Sequence, residues 1–148
     1  MVFEAPKPPR IVLLVEDSRA DARLIKEALR DTRKPVQLHI VENGDTALQF
    51  LQRGPGYENA PTPDLVLLDL NLPGIDGRDV LRAIRKDSRL APLPVIVLTS
   101  SSAQHDVDTV YRLGGSSYLH KPSNLDEYLS LMKTFEVFWL EAVRLPAC

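Results

Sequence analysis

Four short runs in this chain end on residues that can do ionic chemistry. Arg10 to Val15 leads into Glu16-Asp17, Asp64 to Leu68 into Asp69, Val95 to Leu98 into Thr99, and Ser116 to His120 into Lys121-Pro122. Behind the opening Arg10 and Asp64, the first three runs are continuously apolar and too short for helices, the pattern of strands covered on both faces. Burying an unpaired carboxylate is expensive, so these acids belong at open strand ends. If the strands are parallel, their carboxyl ends share one edge of a sheet, where ligands of open α/β proteins bind. Three carboxylates, a hydroxyl and an ammonium then converge. Carboxylates so close repel one another unless a cation sits among them, and hard oxygen donors in that number suit Mg²⁺. A lysine and a threonine opposite suit a tetrahedral dianion. The chemistry implied is acceptance of a phosphoryl group by Asp69, with metal and lysine neutralising the charge of transfer.

The elements between these runs must bring them together. Ser18 reads as the N-cap of a first helix, with Asp21 as its capping-box partner and Ala22, Ile25, Ala28 and Leu29 at helical spacing. Val36 to Val41 alternates, with Val36, Leu38 and Ile40 set against Gln37, His39 and Val41, which predicts an edge strand with one wet face. Asn43 caps a second helix that stops at Gly54-Pro55-Gly56, and a long loop runs on to Pro63. After Asp69 comes the turn Asn71-Leu72-Pro73-Gly74, then a helix from Asp76 to Lys86 with Val80, Leu81 and Ile84 inward. Ser100 to Ser102 read as caps for a helix over Ala103 to Leu113, closed by Gly114-Gly115. A last helix starts near Asn124 and is expected to reach Arg144. Strand and helix thus alternate five times, predicting a parallel sheet with helices on both faces and right-handed connections.

Composition bounds the rest. Apolar residues at 44% and charged residues at 26% of 148 fit one soluble globular domain, residues 10–148, behind a proline-marked arm over 1–9. A net charge of -2 gives no basic excess for nucleic acid, and the two Arg/Lys clusters are broken by acids. No apolar run approaches the length of a membrane span. The one cysteine, Cys148, has no internal disulfide partner, which fits a cytoplasmic location.

Glu16-Asp17, Asp69 with Pro73-Gly74, Thr99 and Lys121-Pro122 together resemble the receiver domain of two-component response regulators, over residues 10–135. The resemblance implies a flavodoxin-like doubly wound (βα)5 three-layer sandwich with sheet order 2-1-3-4-5. It implies that Asp69 is phosphorylated from a kinase phosphohistidine, and that Asp17, Asp69 and the backbone carbonyl of Asn71 bind Mg²⁺ while Glu16 holds metal-bound water. Lys121 would pair with phosphoryl oxygens, and Thr99 and Tyr118 would form the switch. The Lys121–Pro122 bond would be cis, at a cost below about 1 kcal/mol. The loop over residues 54–63 and the tail Phe138-Trp139-Leu140-Glu141-Ala142-Val143 are similar to the single-domain regulators that partner cyanobacterial and bacterial phytochromes, which implies a phytochrome-like sensor histidine kinase as partner.

The bland reading of the cluster is a set of surface acids at strand ends, and five coincident positions weigh against it. His39, His105 and His120 lack ligand spacing and read as surface or edge residues. In the last helix, Leu125, Leu129, Met132 and Phe135 continue one face, whereas Phe138, Trp139, Leu140 and Val143 spread apolar character around it. From Asn124 to Arg144 is about 30 Å of helix, longer than the sheet beneath. Residues 136–148 therefore read as an extension, with Phe138, Trp139 and Val143 forming a homodimer surface. With nothing after Cys148 to hold an output domain, the expected function is a phosphorylation-switched signalling protein, catalysing only its own phosphorylation and dephosphorylation. Two other classes are a haloacid-dehalogenase-like phosphatase and a flavodoxin-like binding module. The phosphatase needs an acid two residues past its nucleophile, where Asn71 stands; the binding module needs a Ser/Thr-rich phosphate loop after the first strand, which is missing.

Overall fold

The structure, a computed structural model, describes residues 8–147. Most of the expected N-terminal arm and Cys148 lie outside the described residues. Five parallel strands form one sheet in the order β2-β1-β3-β4-β5: β1 Arg10–Val15, β2 Val36–Val41, β3 Leu65–Leu68, β4 Val95–Thr99 and β5 Ser117–His120. Between them run α1 Arg19–Ala28, α2 Gly44–Gln52, α3 Gly77–Lys86 and α4 Gln104–Arg112, and α5 Leu125–Phe135 closes the series. A π-helical segment, Glu136–Ala142, continues α5.

Alternation along each buried strand builds two cores, one per face. Leu13, Val15, Val66, Leu68, Val95 and Val97 point to the side covered by α2, α3 and Val110 of α4. Val12, Leu14, Leu65, Leu67, Ile96 and Leu98 point to the side covered by α1, α5 and the π-helical segment. Each buried aliphatic side chain is worth about 1.5–3 kcal/mol of transfer free energy, so this double burial holds the register. That register places Val15 opposite Leu68, Leu68 opposite Val97, and Thr99 opposite His120. Asp64 secures the opposite edge, its carboxylate accepting from Ile11 N–H at 2.8 Å.

The caps follow chain chemistry. Ser18 accepts from Asp21 N–H, Asn43 from Thr46 N–H, and Asp76 from Arg78 and Asp79 N–H. Gly114 takes φ 93° after α4, as a helix end of this kind needs. The α4 cap differs from expectation: the cap position is Ala103, without a side-chain bond. Ser101 instead accepts from Ala103 N–H at 3.3 Å and donates to Asp106 at 2.5 Å.

Three further expectations are corrected. First, β2 lies at an edge, but its faces are shared: Val36 and Leu38 pack on the second core, whereas Val41 is buried in the first and His39 tilts against Phe50 at 5.2 Å. Helices flank both sides there, leaving Ile40 exposed. Second, no described peptide bond is cis, so Lys121–Pro122 is trans, the form a proline bond prefers by about 0.5–1 kcal/mol. Third, the helical tail ends at Ala142, its last bond running from Val143 N–H back to Phe138 C=O at 2.9 Å. The tail is also less of an overhang than expected. Leu140 and Glu136 are buried, and Trp139 and Leu145 pack against the second core. Glu136 accepts from the backbone N–H of Arg33 at 3.1 Å and from Lys133, so the tail is fastened to the α1–β2 loop.

Candidate acidic site at the carboxyl edge of the sheet

Parallel register delivers the site almost unaided. Glu16 and Asp69 each stand one residue past a paired couple, Val15 and Leu68, and Asp69 N–H donates to Val15 C=O at 3.1 Å. Lys121 follows the Thr99–His120 pair and donates its own N–H to Thr99 C=O at 2.8 Å. Glu16, Asp17, Asp69 and Lys121 therefore come together, with Thr99 ending the strand that lies between β3 and β5. Carboxylate oxygens of Glu16, Asp17 and Asp69 lie within 4.8 Å of one another. Asp17 is exposed, whereas Glu16, Asp69, Thr99 and Lys121 are buried.

Lys121 is the hub. Its Nζ donates to Glu16 Oε1, to Asp69 Oδ2 at 3.1 Å and to Asp21 Oδ2 at 2.9 Å. Burial alone would lower the pKa of this ammonium, but its bonds to Glu16 and Asp21 outweigh that and raise it. Burial pushes Glu16 up to about 7, with the neighbouring Asp69 charge adding and Lys121 opposing. Glu16 also accepts from Ser18 N–H at 3.2 Å, the return bond expected of Asp21 in a capping box. Asp21 is thereby released to face Lys121, and sequence reasoning missed it as a site residue. The available signal was its place in the first turn of the helix that opens at this same edge.

The loop after Asp69 is shaped by close packing. Asn71 N–H donates to Asp69 Oδ1 at 3.2 Å, and its exposed position leaves its carbonyl beside the acids in sequence. Gly74 has φ 71°, and a Cβ on Gly77 would collide with the carbonyl of Asp69, so only glycine lets α3 start this close. On the other flank, Thr99 Oγ1 is buried with no hydrogen-bond partner among the described residues. A hydroxyl so placed fits an anion bound at Asp69. The trio of carboxylates fits a hard divalent cation.

Tyr118 is half-buried, its hydroxyl donating to Ser101 C=O at 2.7 Å, and burial raises its pKa. The first turn of α4 is tied to α3 by Arg78, which pairs with Asp106 at 2.5 Å. His120 is exposed, with a ring nitrogen 3.0 Å from Ser100 C=O. Phe138, Trp139 and Val143 lie far along the chain on the tail; Phe138 is 53% exposed, the other two are half-buried, and the Phe138 and Trp139 rings meet edge-on at 5.3 Å.

A doubly wound five-stranded sheet with this acid, lysine and threonine set at its carboxyl edge is the receiver architecture. The chain matches the response regulator receiver domain over residues 12–133, and it belongs to that family. Response regulator Rcp1 of Synechocystis sp. is 46% identical to it over 140 residues, 95% of each chain. The crystal structure of the Mn²⁺-bound form of Rcp1 superposes with a TM-score of 0.91 over 94% of this chain and 100% of that one. The phosphorylated cyanobacterial phytochrome response regulator RcpA is 41% identical, with a TM-score of 0.92 over 95% of this chain and 100% of that one. The chain is thus a response regulator, a signalling protein whose counterpart is a histidine kinase. No described helix is long and apolar enough to cross a membrane.

Proposed function

We propose that this response regulator accepts a phosphoryl group on Asp69 from the phosphohistidine of a phytochrome-type sensor kinase, in the cytoplasm and with Mg²⁺. The observation that carries this reading is the Lys121 hub, which joins Asp69 to Glu16 at the open end of three strands. Asp69 Oδ attacks phosphorus, the P–N bond breaks, and the imidazole leaves with its electron pair. Asp17, Asp69 and the Asn71 carbonyl would hold the metal, and Glu16 would hold its water. When bound, that ion supplies positive charge against the phosphoryl oxygens. Lys121 supplies the second cation. Thr99 offers its unpartnered hydroxyl to a phosphoryl oxygen, and Tyr118 follows it. Mn²⁺ in the Rcp1 structure and the phosphorylated state of RcpA support the metal and the modification, and the phytochrome named with RcpA supports the kinase type.

The same site catalyses only its own phosphorylation and dephosphorylation. Asn71 stands where an aspartyl phosphatase needs its second acid, which disfavours turnover of other substrates. The output is altered contact with protein partners, not with nucleic acid or membrane. A homodimer built on the tail is one such contact. The exposed Phe138 and the apolar recess it shares with Leu119, Leu131 and Trp139 support it. Incubation with acetyl phosphate and Mg²⁺ tests the core of the reading: one phosphoryl group per chain by intact mass, none with Asp69→Asn. Steady release of phosphate from monoesters would contradict it.

A further inference from the structure

We propose that Asp21 is a positioning residue for Lys121, holding the ammonium from the outside and so setting how readily it meets an anion on Asp69. The proposal rests on the reading of Asp69 as the phosphoacceptor. A lysine ammonium has three hydrogens and no more. Here all three are taken, by Glu16, by Asp69 at 3.1 Å and by Asp21 at 2.9 Å. The three acceptors are not equivalent. Side chains of Glu16 and Asp69 are 1% and 9% exposed, whereas that of Asp21 is 31% exposed. Asp21 is nonetheless well placed, because Ser18 Oγ accepts from its backbone N–H and fixes the first turn of α1. It lines an open recess with Lys121, Ser100, His120, Ser123 and Tyr128, at the mouth of the site.

A phosphoryl group on Asp69 raises the local negative charge and sets its oxygens where Asp69 Oδ2 now meets Lys121. Lys121 must then turn toward those oxygens. Asp21 opposes this twice: it keeps one N–H, and its own charge repels the arriving dianion. Glu16 cannot be the adjustable partner, since breaking its bond leaves a dry carboxylate alone. Asp21 can be, because solvent reaches it. The wild-type site therefore gives up some hold on the phosphoryl group.

The test is titration of the full-length chain with fluoroberyllate, a phosphoryl mimic, in Mg²⁺, followed by ¹⁹F NMR. Asp21→Asn should bind it about fivefold more tightly, the scale of a part-exposed ion pair, and Asp21→Glu should return toward wild type. Mg²⁺ affinity measured without fluoroberyllate should not rise in either variant, and thermal melts establish that both are folded. Equal or weaker fluoroberyllate binding by Asp21→Asn overturns the proposal. So does a change in Mg²⁺ affinity that accounts for the gain. If wild type binds no fluoroberyllate, or Asp69→Asn binds it equally, the phosphoacceptor reading itself has failed, and this inference with it.

Discussion

The carboxyl edge of the sheet and the tail beyond α5 are assembled in opposite ways. At the edge, strand register brings polar residues together from separate strand ends although the strands themselves are largely apolar, and one lysine joins Glu16, Asp69 and Asp21. In the tail, apolar residues lie on all sides, and packing sorts them: Leu140 inward, Val137 and Phe138 outward. The first region is set by topology and electrostatics, so a change of charge disables it without unfolding the sheet. The second is set by volume, so a change of size loosens it without touching the acids. What separates them is which kind of substitution each can absorb.

The sharpest contrast comes from Asp69→Asn. It should abolish phosphorylation by acetyl phosphate entirely, read by intact mass, while the melting temperature holds or rises as carboxylate repulsion is relieved. Leu140→Ala should do the reverse. Removing a fully buried leucine costs about 3 kcal/mol, seen in urea unfolding, with the rate of phosphorylation of the folded protein kept. Phe138→Glu divides the tail itself: sedimentation should show a monomer, with little loss of stability because this ring is half in solvent. A dimer that survives Phe138→Glu would move the interface elsewhere.

The smallest effect is a pH dependence confined to the edge. Glu16 has a folded-state pKa near 7, above its ordinary value of 4.5, so the folded chain binds a proton the unfolded chain releases. That contribution is complete below the ordinary carboxylate pKa and is lost as pH rises through about 7. Melting temperature in EDTA should therefore fall between mildly acidic and mildly alkaline buffer. Glu16→Gln should flatten the decline. A wild-type profile that climbs over this range would contradict the burial of Glu16 as a free acid.

The sheet and its edge were legible because their signals are local and repeated. Val12 to Val15, Leu65 to Leu68 and Val95 to Leu98 are apolar throughout, and only strands covered on both faces read so; the polar residue closing each run then marks the edge. Asp21 was not legible, since an acid three residues past a serine is the ordinary signature of a cap. Only the structure shows Glu16 taking that bond instead. The tie from Arg78 to Asp106 and the reach of Glu136 to Arg33 span 28 and 103 residues, and no spacing rule connects such pairs. In β2, alternation identified an edge strand but not its covering, because helices on both sides reach past Val41 and His39. The tail was legible only in part for a related reason: apolar character on every side describes a buried helix and an interface equally well.

Residue 77 carries a consequence for anyone building variants of this chain. With hydrogen as its side chain, the start of α3 rests on the main chain of Asp69 and Leu70 with no gap to fill. A randomised library at that codon should return one amino acid among functional clones. At Ser102, exposed and only a short way round the same rim, it should return almost any.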